Sequence, residues 1–312
     1  MSICYKSFSD LNLSILQNLH KFPHTIDLIV GIPRSGMLPA NLLALYLNKP
    51  FTDLDSFIEG RVYSCGERGK EIESQTKKNI LVIDDSYGAG NAYKKVQKKL
   101  SYLEKKDSYE IKYGVIYTTS LGLKVLDYWC EIIDQTRVFQ WNLFHHSYII
   151  GSSCFDIDGV LCPNPPIDDD GPLYKEYIMN APSLYIPSVT IDTLVSCRLE
   201  KYRAITEKWL HDHNVKYRKL IMLNLPNKEE RLKWGKHGEY KAQIYRNTTN
   251  IMFVESSLAE AKIIKEKTGK DVFCTETFEM LNADSYQEKA IYVYDRIKRL
   301  IKKTISFLLS FH

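Results

Sequence analysis

Two apolar runs that each stop at a pair of carboxylates limit what this chain can fold into. Leu81–Gly90 reads LVIDDSYGAG and Phe155–Cys162 reads FDIDGVLC, and in both segments the acids lead into a turn. Such a run is typical of a buried strand in an open parallel sheet, where ligands bind just beyond the carboxyl ends of the strands. The pattern therefore predicts two ligand sites, each at a strand end.

Strand-like and helix-like segments alternate along the chain. Strand-like runs occur at Ile26–Val30, Ile80–Ile83, Tyr113–Tyr117, Ser152–Asp156, Val189–Val195, Lys219–Leu223 and Ile251–Val254. Helical patterns lie between them, at Met37–Leu47, Ala92–Leu103, Glu200–His213 and Ser257–Thr268. This alternation predicts an α/β protein of two domains, each a mainly parallel sheet flanked by helices. We place the boundary near Trp141–Gly151, with domains at 1–147 and 148–285.

Composition and charge exclude several broad classes of protein. The 312 residues are 44% hydrophobic and 26% charged, which is typical of a globular chain long enough for two cores. A net charge of +4 is too mild to indicate a nucleic-acid partner. The 7 scattered cysteines form no CxxC pair, so a reducing cytoplasm is the expected location. We predict no signal peptide, and no segment reaches the roughly 20 apolar residues of a membrane span.

The residues after the first apolar run are suited to a sugar phosphate. Asp84 and Asp85 can accept hydrogen bonds from two vicinal ribose hydroxyls and help hold Mg²⁺. Small residues then let backbone N–H groups approach a phosphate, and the helix predicted from Ala92 adds its positive end. Upstream, Leu28–Gly36 (LIVGIPRSG) is another strand that ends in a glycine-flanked turn, where Arg34 and the loop amides could bind a pyrophosphate.

These two segments resemble the type I phosphoribosyltransferases, which use 5-phosphoribosyl pyrophosphate (PRPP). The acidic pair with its small-residue loop is similar to the family's PRPP signature, and GIPRSG is similar to its pyrophosphate loop. The resemblance implies a PRPP site made of Arg34, Ser35, Gly36, Asp84, Asp85, Ser86, Tyr87, Gly88, Ala89, Gly90 and Asn91. It also implies that Gly60–Lys78 is the family's flexible hood, from which Arg61, Arg68 and Lys70 reach the leaving group.

Two features of this region leave its chemistry open. Gly88 and Ala89 stand where the family usually has threonines, so backbone amides would have to replace two side-chain phosphate donors. Residues 137–146 (RVFQWNLFHH) admit two interpretations. The aromatic side chains could form an acceptor platform with His145 or His146 as acid or base, or they could pack a domain interface.

The second acidic motif is suited to the hydrolysis of a phosphate ester. Asp156 ends a predicted strand, Asp158 follows two residues later, and Gly159 relaxes the turn. One carboxylate can attack phosphorus while the other shuttles the proton, and a cation is needed to offset the combined negative charge. The segment FDIDGVLC resembles the first motif of the haloacid dehalogenase superfamily phosphatases.

The later motifs of that superfamily have counterparts in the same order. The resemblance implies that Ser196 binds a phosphoryl oxygen and that Lys241 neutralises an aspartyl-phosphate intermediate. It implies that Glu255 holds Mg²⁺ together with Asp156 and the backbone carbonyl of Asp158. The predicted catalytic set is therefore Asp156, Asp158, Ser196 and Lys241, and the predicted metal ligands are Asp156, Asp158 and Glu255.

The segments around these motifs refine the expected phosphatase domain. Ser256 and Ser257 stand where the superfamily often has a second acid, and Arg198 is expected to lie on the helix after Ser196. Pro163–Pro187 is long enough only for a small cap, which favours an open site and a bulky substrate. The three acids at 168–170 are interpreted as a solvated turn, not as metal ligands.

Residues 286–312 are predicted to form a basic amphipathic helix. Its apolar side carries Ile297, Leu300, Ile301, Ile305, Leu308 and Leu309, and its basic residues are Arg296, Lys298, Arg299, Lys302 and Lys303. A helix on an anionic membrane surface and a helix docked on the protein both fit this pattern. The first would place the chain at the inner face of the cytoplasmic membrane, beside a lipid-linked substrate.

Both sites on one chain predict two consecutive reactions. The first domain would transfer 5-phosphoribosyl from PRPP to an acceptor with release of pyrophosphate, and the second would hydrolyse the remaining 5-phosphate, with Mg²⁺ as cofactor. This arrangement resembles the dual-domain ribofuranosyltransferases of bacterial surface polysaccharide assembly (O-antigen or capsule), which implies a glycan acceptor. Two alternatives stay open: a nucleobase salvage transferase fused to a nucleotide phosphatase, and a non-catalytic PRPP-sensing regulator.

Overall fold

The computed structural model describes residues 3–63, 67, 78–104, 108–166 and 171–281. The chain divides into two compact units. The amino-terminal unit is Lys6–Trp141, and the carboxyl-terminal unit runs from Asn142 onward and includes the residues up to Tyr5. Three predictions fall outside the described residues, namely the hood residues Arg68 and Lys70, the acidic turn at 168–170 and the helix at 286–312.

The amino-terminal unit is built on a five-stranded parallel sheet. Its strands are β2 (Leu28–Gly31), β3 (Phe51–Asp53), β4 (Lys78–Ser86), β5 (Tyr109–Thr118) and β6 (Tyr128–Ile132), in the spatial order β3-β2-β4-β5-β6. The helices are α1 (Phe8–Asn18), α2 (Met37–Leu47), α3 (Leu54–Ile58) and α4 (Asn91–Glu104). Two short strands, β1 (Cys4–Lys6) and β7 (Arg137–Phe139), are separate from this sheet.

Strand β4 is central and carries the first acidic motif. Leu81, Val82 and Ile83 are at most 1% exposed, and β2 and β5 pair with this strand on either side. Burial of each such side chain contributes roughly 1.5–3 kcal/mol. The strand continues past the predicted end at Ile83, since Asp84 and Ser86 keep their pairing with β5. The carboxylates thus project from the last residues of a rigid strand.

The carboxyl-terminal unit contains a six-stranded sheet. Its strands are β8 (Ser153–Phe155), β9 (Ile191–Leu199), β10 (Tyr217–Leu223), β11 (Met252–Glu255), β12 (Asp271–Cys274) and β13 (Glu279–Leu281). The spatial order is β10-β9-β8-β11-β12-β13, and every pair is parallel except β12 with β13. The helices are α5 (Ser147–Ile150), α6 (Pro172–Asn180), α7 (Arg203–Asp212), α8 (Lys228–Trp234), α9 (His237–Arg246) and α10 (Leu258–Thr268).

Hydrogen bonds tie the beginning of the chain to this second unit. The backbone N–H of Ile3 donates to Asp271 Oδ2 at 2.7 Å, and the Tyr5 hydroxyl donates to the Phe278 carbonyl at 2.8 Å. Asp271 is buried, so the bond from Ile3 satisfies a carboxylate that has little access to water.

The two sheets confirm the predicted α/β class with mainly parallel sheets flanked by helices. The assignment of the second unit to the haloacid dehalogenase superfamily stays a prediction. One element differs from expectation: Arg198 lies on β9, which runs to Leu199, and not on the following helix, because β9 still pairs with β10 at that end. Among the described helices, none has the length and apolar character needed to cross a membrane.

Candidate functional site

A cavity of ≈ 210 Å³ opens at the carboxyl end of β4 in the amino-terminal unit. Asp84 and the loop residues from Ser86 to Asn91 contribute to its lining. Helix α4 begins at Asn91, so its amino-terminal N–H groups lie at the same place. The structure thus brings together the carboxylate and the small-residue loop that we predicted to bind the ribose and its phosphate.

The acidic pair at the end of β4 is held by its own neighbours. Asp85 is 5% exposed and accepts a hydrogen bond from Trp141 Nε1 at 2.7 Å. Its backbone N–H donates to Asp84 Oδ1 at 2.8 Å. Burial, together with the nearby charge of Asp85, raises the pKa of Asp84 to about 8. A ligand that brings polar groups or a cation to Asp84 therefore favours its ionised form.

The predicted pyrophosphate loop packs directly against the end of β4. A Cβ atom on Gly36 would lie 2.6 Å from the Ile32 carbonyl oxygen and 2.7 Å from the Ile83 carbonyl oxygen, so only glycine fits there. The peptide bond between Pro33 and Arg34 is cis. Arg34 is exposed, Ser35 is half-buried, and both precede α2. The close contact at Gly36 brings this turn beside the acidic pair.

Residues 137–146 are divided between the two units. Arg137 donates to the Tyr87 carbonyl at 2.5 Å and to the Ile133 carbonyl at 3.1 Å, which ties the small-residue loop to the sheet. His145 belongs to the carboxyl-terminal unit, where its Nδ1 lies 2.9 Å from Ser188 Oγ. Neither Arg137 nor Trp141 was among the predicted site residues, because the segment reads as an aromatic run in which single polar contacts leave no signature.

Two further predicted residues lie in other surroundings. His146 belongs to the carboxyl-terminal unit and its ring accepts from the Ile149 N–H at 3.3 Å, as the cap of α5. Of the three basic residues predicted for the hood, Arg61 lies within the described residues, and it forms an exposed ion pair with Glu59 at 2.5 Å.

The second site is a buried cluster around one ammonium group. Asp156 follows β8, Glu255 ends β11, and Lys241 reaches between them from α9. Lys241 Nζ lies 2.6 Å from Asp156 Oδ2, 2.7 Å from Glu255 Oε2 and 2.8 Å from Glu260 Oε2. The exposed fractions of Asp156, Lys241 and Glu255 are 5%, 3% and 1%. Three residues predicted from separate motifs therefore meet at one point.

Charge and burial oppose each other in this cluster. Burial raises the pKa of Asp156 to about 8, against the lowering effect of Lys241. Burial also disfavours the charged form of Lys241, but the carboxylates of Asp156 and Glu255 raise the pKa of this lysine well above its usual value. Lys241 therefore stays protonated and is the group that favours an ionised Asp156.

Glu260 is a member of the cluster that the sequence did not reveal. It lies in the first turn of α10, where an acid ordinarily serves the helix dipole, and this common role concealed it. Although burial opposes its charge, His237 and Lys241 lower the pKa of Glu260 to about 2. Glu260 thus adds a third carboxylate around the Lys241 ammonium group.

Asp158 is held by a buried arginine. Arg198 Nη2 donates to Asp158 Oδ1 at 2.7 Å and Arg198 Nε donates to Asp158 Oδ2 at 3.0 Å. The Arg198 side chain is fully buried, and although burial opposes its charge, Asp158 raises its pKa further above the usual value. Ser196, also fully buried, accepts from the Arg198 backbone N–H at 3.1 Å. Asp156 and Asp158 thus follow β8, Glu255 ends β11, Ser196 lies on β9, and Lys241 reaches Asp156 and Glu255 from α9.

The donor set at this edge is compatible with Mg²⁺. Within the described ranges, no group of three or more His, Cys, Asp or Glu side chains is arranged to hold a metal ion. The predicted set uses only two such side chains, Asp156 and Glu255, together with the backbone carbonyl of Asp158. Oxygen atoms of this kind are the ligands that Mg²⁺ prefers, and the Asp158 carbonyl already accepts a hydrogen bond from Ser256 Oγ at 3.1 Å.

The fold and the first site define a phosphoribosyltransferase domain. Residues 7–150 match the family model described as "Phosphoribosyl transferase domain", and this range contains all of the PRPP-site residues predicted above. Residues 7–150 therefore correspond to a type I phosphoribosyltransferase domain, and the family that this domain represents uses PRPP. The match ends where the second unit begins its sheet, just before β8.

Solved structures of phosphoribosyltransferases are similar to this part of the chain. The purine phosphoribosyltransferase of Pyrococcus horikoshii is 23% identical, with a TM-score of 0.34, over 45% of this chain and 94% of that one. The xanthine-guanine-hypoxanthine phosphoribosyltransferase of Helicobacter pylori is 16% identical, with a TM-score of 0.32, over 45% and 92%. The orotate phosphoribosyltransferase of Aeropyrum pernix is 17% identical, with a TM-score of 0.29, over 40% and 70%. Among curated proteins, none matches this chain.

Proposed function

We propose that this enzyme adds a ribofuranosyl residue to a glycan in two steps. The domain at 1–147 transfers 5-phosphoribosyl from PRPP to a glycan hydroxyl and releases pyrophosphate. The domain at 148–285 then hydrolyses the 5-phosphate and leaves an unphosphorylated ribofuranose. The product would belong to a bacterial surface polysaccharide such as an O-antigen or a capsule, and the acceptor would be free or lipid-linked.

The buried cluster of Asp156, Lys241 and Glu255 carries this proposal. Burying several carboxylates around one ammonium group is unfavourable for stability unless their geometry is nearly ideal. Groups with such perturbed pKa values concentrate at functional sites. Because the cluster lies in a different unit from the phosphoribosyltransferase site, it supports a second reaction and not a part of the first.

In the first step the amino-terminal unit binds and orients PRPP. Asp84 and Asp85 accept hydrogen bonds from the two ribose hydroxyls, while the loop amides before α4 bind the 5-phosphate. Arg34 and the amides of its turn bind the pyrophosphate that leaves. As the bond from C1 of the ribose to pyrophosphate breaks, positive charge develops on the sugar, and the carboxylates stabilise it electrostatically. The glycan hydroxyl then forms the new bond to C1, and its proton passes to the departing pyrophosphate.

In the second step Asp156 acts as the nucleophile. Its carboxylate oxygen forms a bond to phosphorus while the bond from phosphorus to O5 of the ribose breaks. For this step Asp158 leaves its ion pair with Arg198 and takes up a proton, which it then gives to O5. Asp158 then takes a proton from the water that attacks the aspartyl phosphate, which releases inorganic phosphate and restores Asp156. Ser196 and Lys241 bind phosphoryl oxygens. Mg²⁺ bound by Asp156, Glu255 and the Asp158 carbonyl would supply positive charge for the phosphate.

The size of the segment after the nucleophile supports a large acceptor. Between β8 and β9 the described residues contain a single helix, α6, of 9 residues. Such a segment forms a small cap at most and leaves the phosphatase edge open. An open edge accommodates a phosphate at the end of a glycan better than a closed cavity would.

Following both products in one reaction tests the two-step scheme. The full chain is incubated with PRPP, Mg²⁺ and candidate glycans, and pyrophosphate and inorganic phosphate are measured over time. With Asp156→Asn we expect normal pyrophosphate release and a glycan that keeps its 5-phosphate, visible as an added mass of phosphoribose. Loss of pyrophosphate release in a folded Asp156→Asn protein contradicts the scheme. Transfer to a nucleobase would favour salvage, and PRPP binding without turnover would favour a regulator.

A further inference from the structure

A second cleft in the carboxyl-terminal unit lies beside the turn that carries Asp156. Its volume is ≈ 450 Å³, within the range of ~300–1,000 Å³ that is usual for small-molecule sites. The described residues that line it include Asn164, Tyr185, Ser257 and Glu276, and they contain no lysine or arginine. These described residues are rich in hydrogen-bonding groups and include no cation that could bind a phosphate.

The floor of this cleft is the reacting turn itself. The Ser256 hydroxyl donates to the Asp158 carbonyl at 3.1 Å, and the Thr275 hydroxyl donates to the Gly159 carbonyl at 3.2 Å. Gly159 has a φ of 77°, and a Cβ there would lie 2.3 Å from Ser256 Oγ and 2.9 Å from Asn164 Nδ2. The absence of a side chain at Gly159 keeps the cleft open next to the two catalytic aspartates.

One wall of the cleft is a fixed aromatic ring. The backbone N–H of Tyr185 donates to the Val160 carbonyl at 3.2 Å, which ties this residue to the same turn. The Tyr185 ring stacks on Phe144 at 5.1 Å between centroids, with 6° between the planes, and meets Phe278 edge-on at 5.4 Å. A rigid aromatic side chain supplies contact area at a small cost in conformational entropy, and its hydroxyl stays available for hydrogen bonds.

Charge indicates which part of a substrate the cleft can hold. Glu276 is exposed, and its Oε2 accepts from the Leu258 N–H at 2.8 Å, which leaves Oε1 for a ligand. A carboxylate repels a phosphate but accepts hydrogen bonds from hydroxyl groups. The phosphate belongs beside Lys241, and the neutral part of the molecule belongs in the cleft.

We infer that this cleft binds the uncharged sugar to which the phosphorylated ribose is attached. This inference rests on the proposed phosphatase step and adds a specificity site to it. Tyr185 would pack against the sugar ring, while Asn164 and Glu276 would bind its hydroxyl groups. The cleft would make the second unit select the glycan-linked phosphoribose over free ribose phosphates.

Two synthetic substrates test the inference on the full chain. One is methyl ribofuranoside 5-phosphate, and the other is a methyl hexopyranoside that carries the same 5-phosphoribosyl group. For the unmodified protein we expect a KM about five- to tenfold lower for the disaccharide, the effect of one or two hydrogen bonds to neutral hydroxyls. Asn164→Ala and Tyr185→Leu should bring the ratio of the two KM values close to one. Tyr148→Leu, at a tyrosine that is 54% exposed outside the cleft, should preserve the ratio.

The outcomes separate this inference from the function on which it rests. Equal KM values in the unmodified protein, or a ratio that Asn164→Ala and Tyr185→Leu leave intact, overturn the sugar site while the two-step scheme stands. Hydrolysis of neither substrate overturns the phosphatase step and the sugar site together. Because Asn164 is exposed, its substitution tests the site even if Tyr185→Leu disturbs the fold.

Discussion

Replacing Trp141 by phenylalanine removes one N–H group and keeps an aromatic ring. The Trp141 indole stacks on Phe139 at 4.9 Å with 7° between the planes, and phenylalanine can keep this contact. The bond from Nε1 to Asp85 at 2.7 Å is lost, and it ends on a carboxylate that is 5% exposed. Hydrogen bonds to charged groups contribute about 1.5–3 kcal/mol, and water cannot easily replace this one. We therefore expect the unfolding free energy to fall by about 2 kcal/mol.

The same substitution should weaken the binding of PRPP. Without the bond from Trp141, Asp85 can rotate away from the ribose hydroxyls. Loss of about 2 kcal/mol of binding free energy corresponds to roughly a thirtyfold rise in the KM for PRPP. The assay is pyrophosphate release at varied PRPP, combined with urea denaturation. The matched control is Trp129→Phe, at an indole on β6 that packs on the apolar core of the same unit. Loss of stability with an unchanged KM, or an equal rise in KM for Trp129→Phe, would refute the positioning role of Trp141.

Three further predictions concern the two sites. Lys241→Met should abolish phosphate release and lower the unfolding free energy by about 3–5 kcal/mol, because the substitution leaves buried carboxylates without their cation. The control Lys208→Met, at the surface, should change the unfolding free energy by less than ~1 kcal/mol in the same urea titration. Gly36→Ala should lower the unfolding free energy by about 1–3 kcal/mol, measured by thermal unfolding, and raise the KM for PRPP. In the control Gly88→Ala, the new Cβ would lie 3.6 Å from Arg137, and the unfolding free energy should fall by less than ~0.5 kcal/mol. The pKa of Asp84 is about 8 in the folded chain, against an ordinary value of 3.8 for an unfolded aspartate. Between these values the folded state binds one more proton than the unfolded state, so the unfolding free energy should fall as pH rises from 4 to 8. Asp84→Asn should flatten this slope in denaturation curves across that range.

Much of the fold could be predicted from the apolar pattern. The helix Met37–Leu47 agrees with its predicted bounds, and the main parallel strands were found because they form short apolar runs. Strands β1, β3, β6, β7, β12 and β13 were missed: all but β6 have four residues or fewer, and each includes a charged residue that shortens its apolar run. Strand β4 extends past its apolar run because backbone pairing with β5, which the side chains do not encode, continues through the acidic pair.

The residues of the two sites could likewise be predicted only in part. The positions of residues in contiguous motifs, such as Asp84, Asp156 and Glu255, could be predicted because each lies at or just after the end of an apolar strand. Trp141 and Arg198 could not, since their roles depend on contacts made across 56 and 40 residues of sequence. Such partners are ordinary aromatic or basic residues until the fold brings them to a carboxylate.

The hydrogen bond from Ile3 to Asp271 bears on how the chain is made and how it can be divided. The first residues of the chain are synthesised before the whole amino-terminal unit, yet their partners on β12 and beyond are among the last described residues to be made. The second unit can therefore complete its hydrogen bonding only after β12 has been synthesised. A fragment that starts at Asn142 would leave the buried Asp271 carboxylate without its Ile3 donor. A single cut between the units yields one fragment that lacks the Ile3 donor, so the two sites are better inactivated separately by mutation than by truncation.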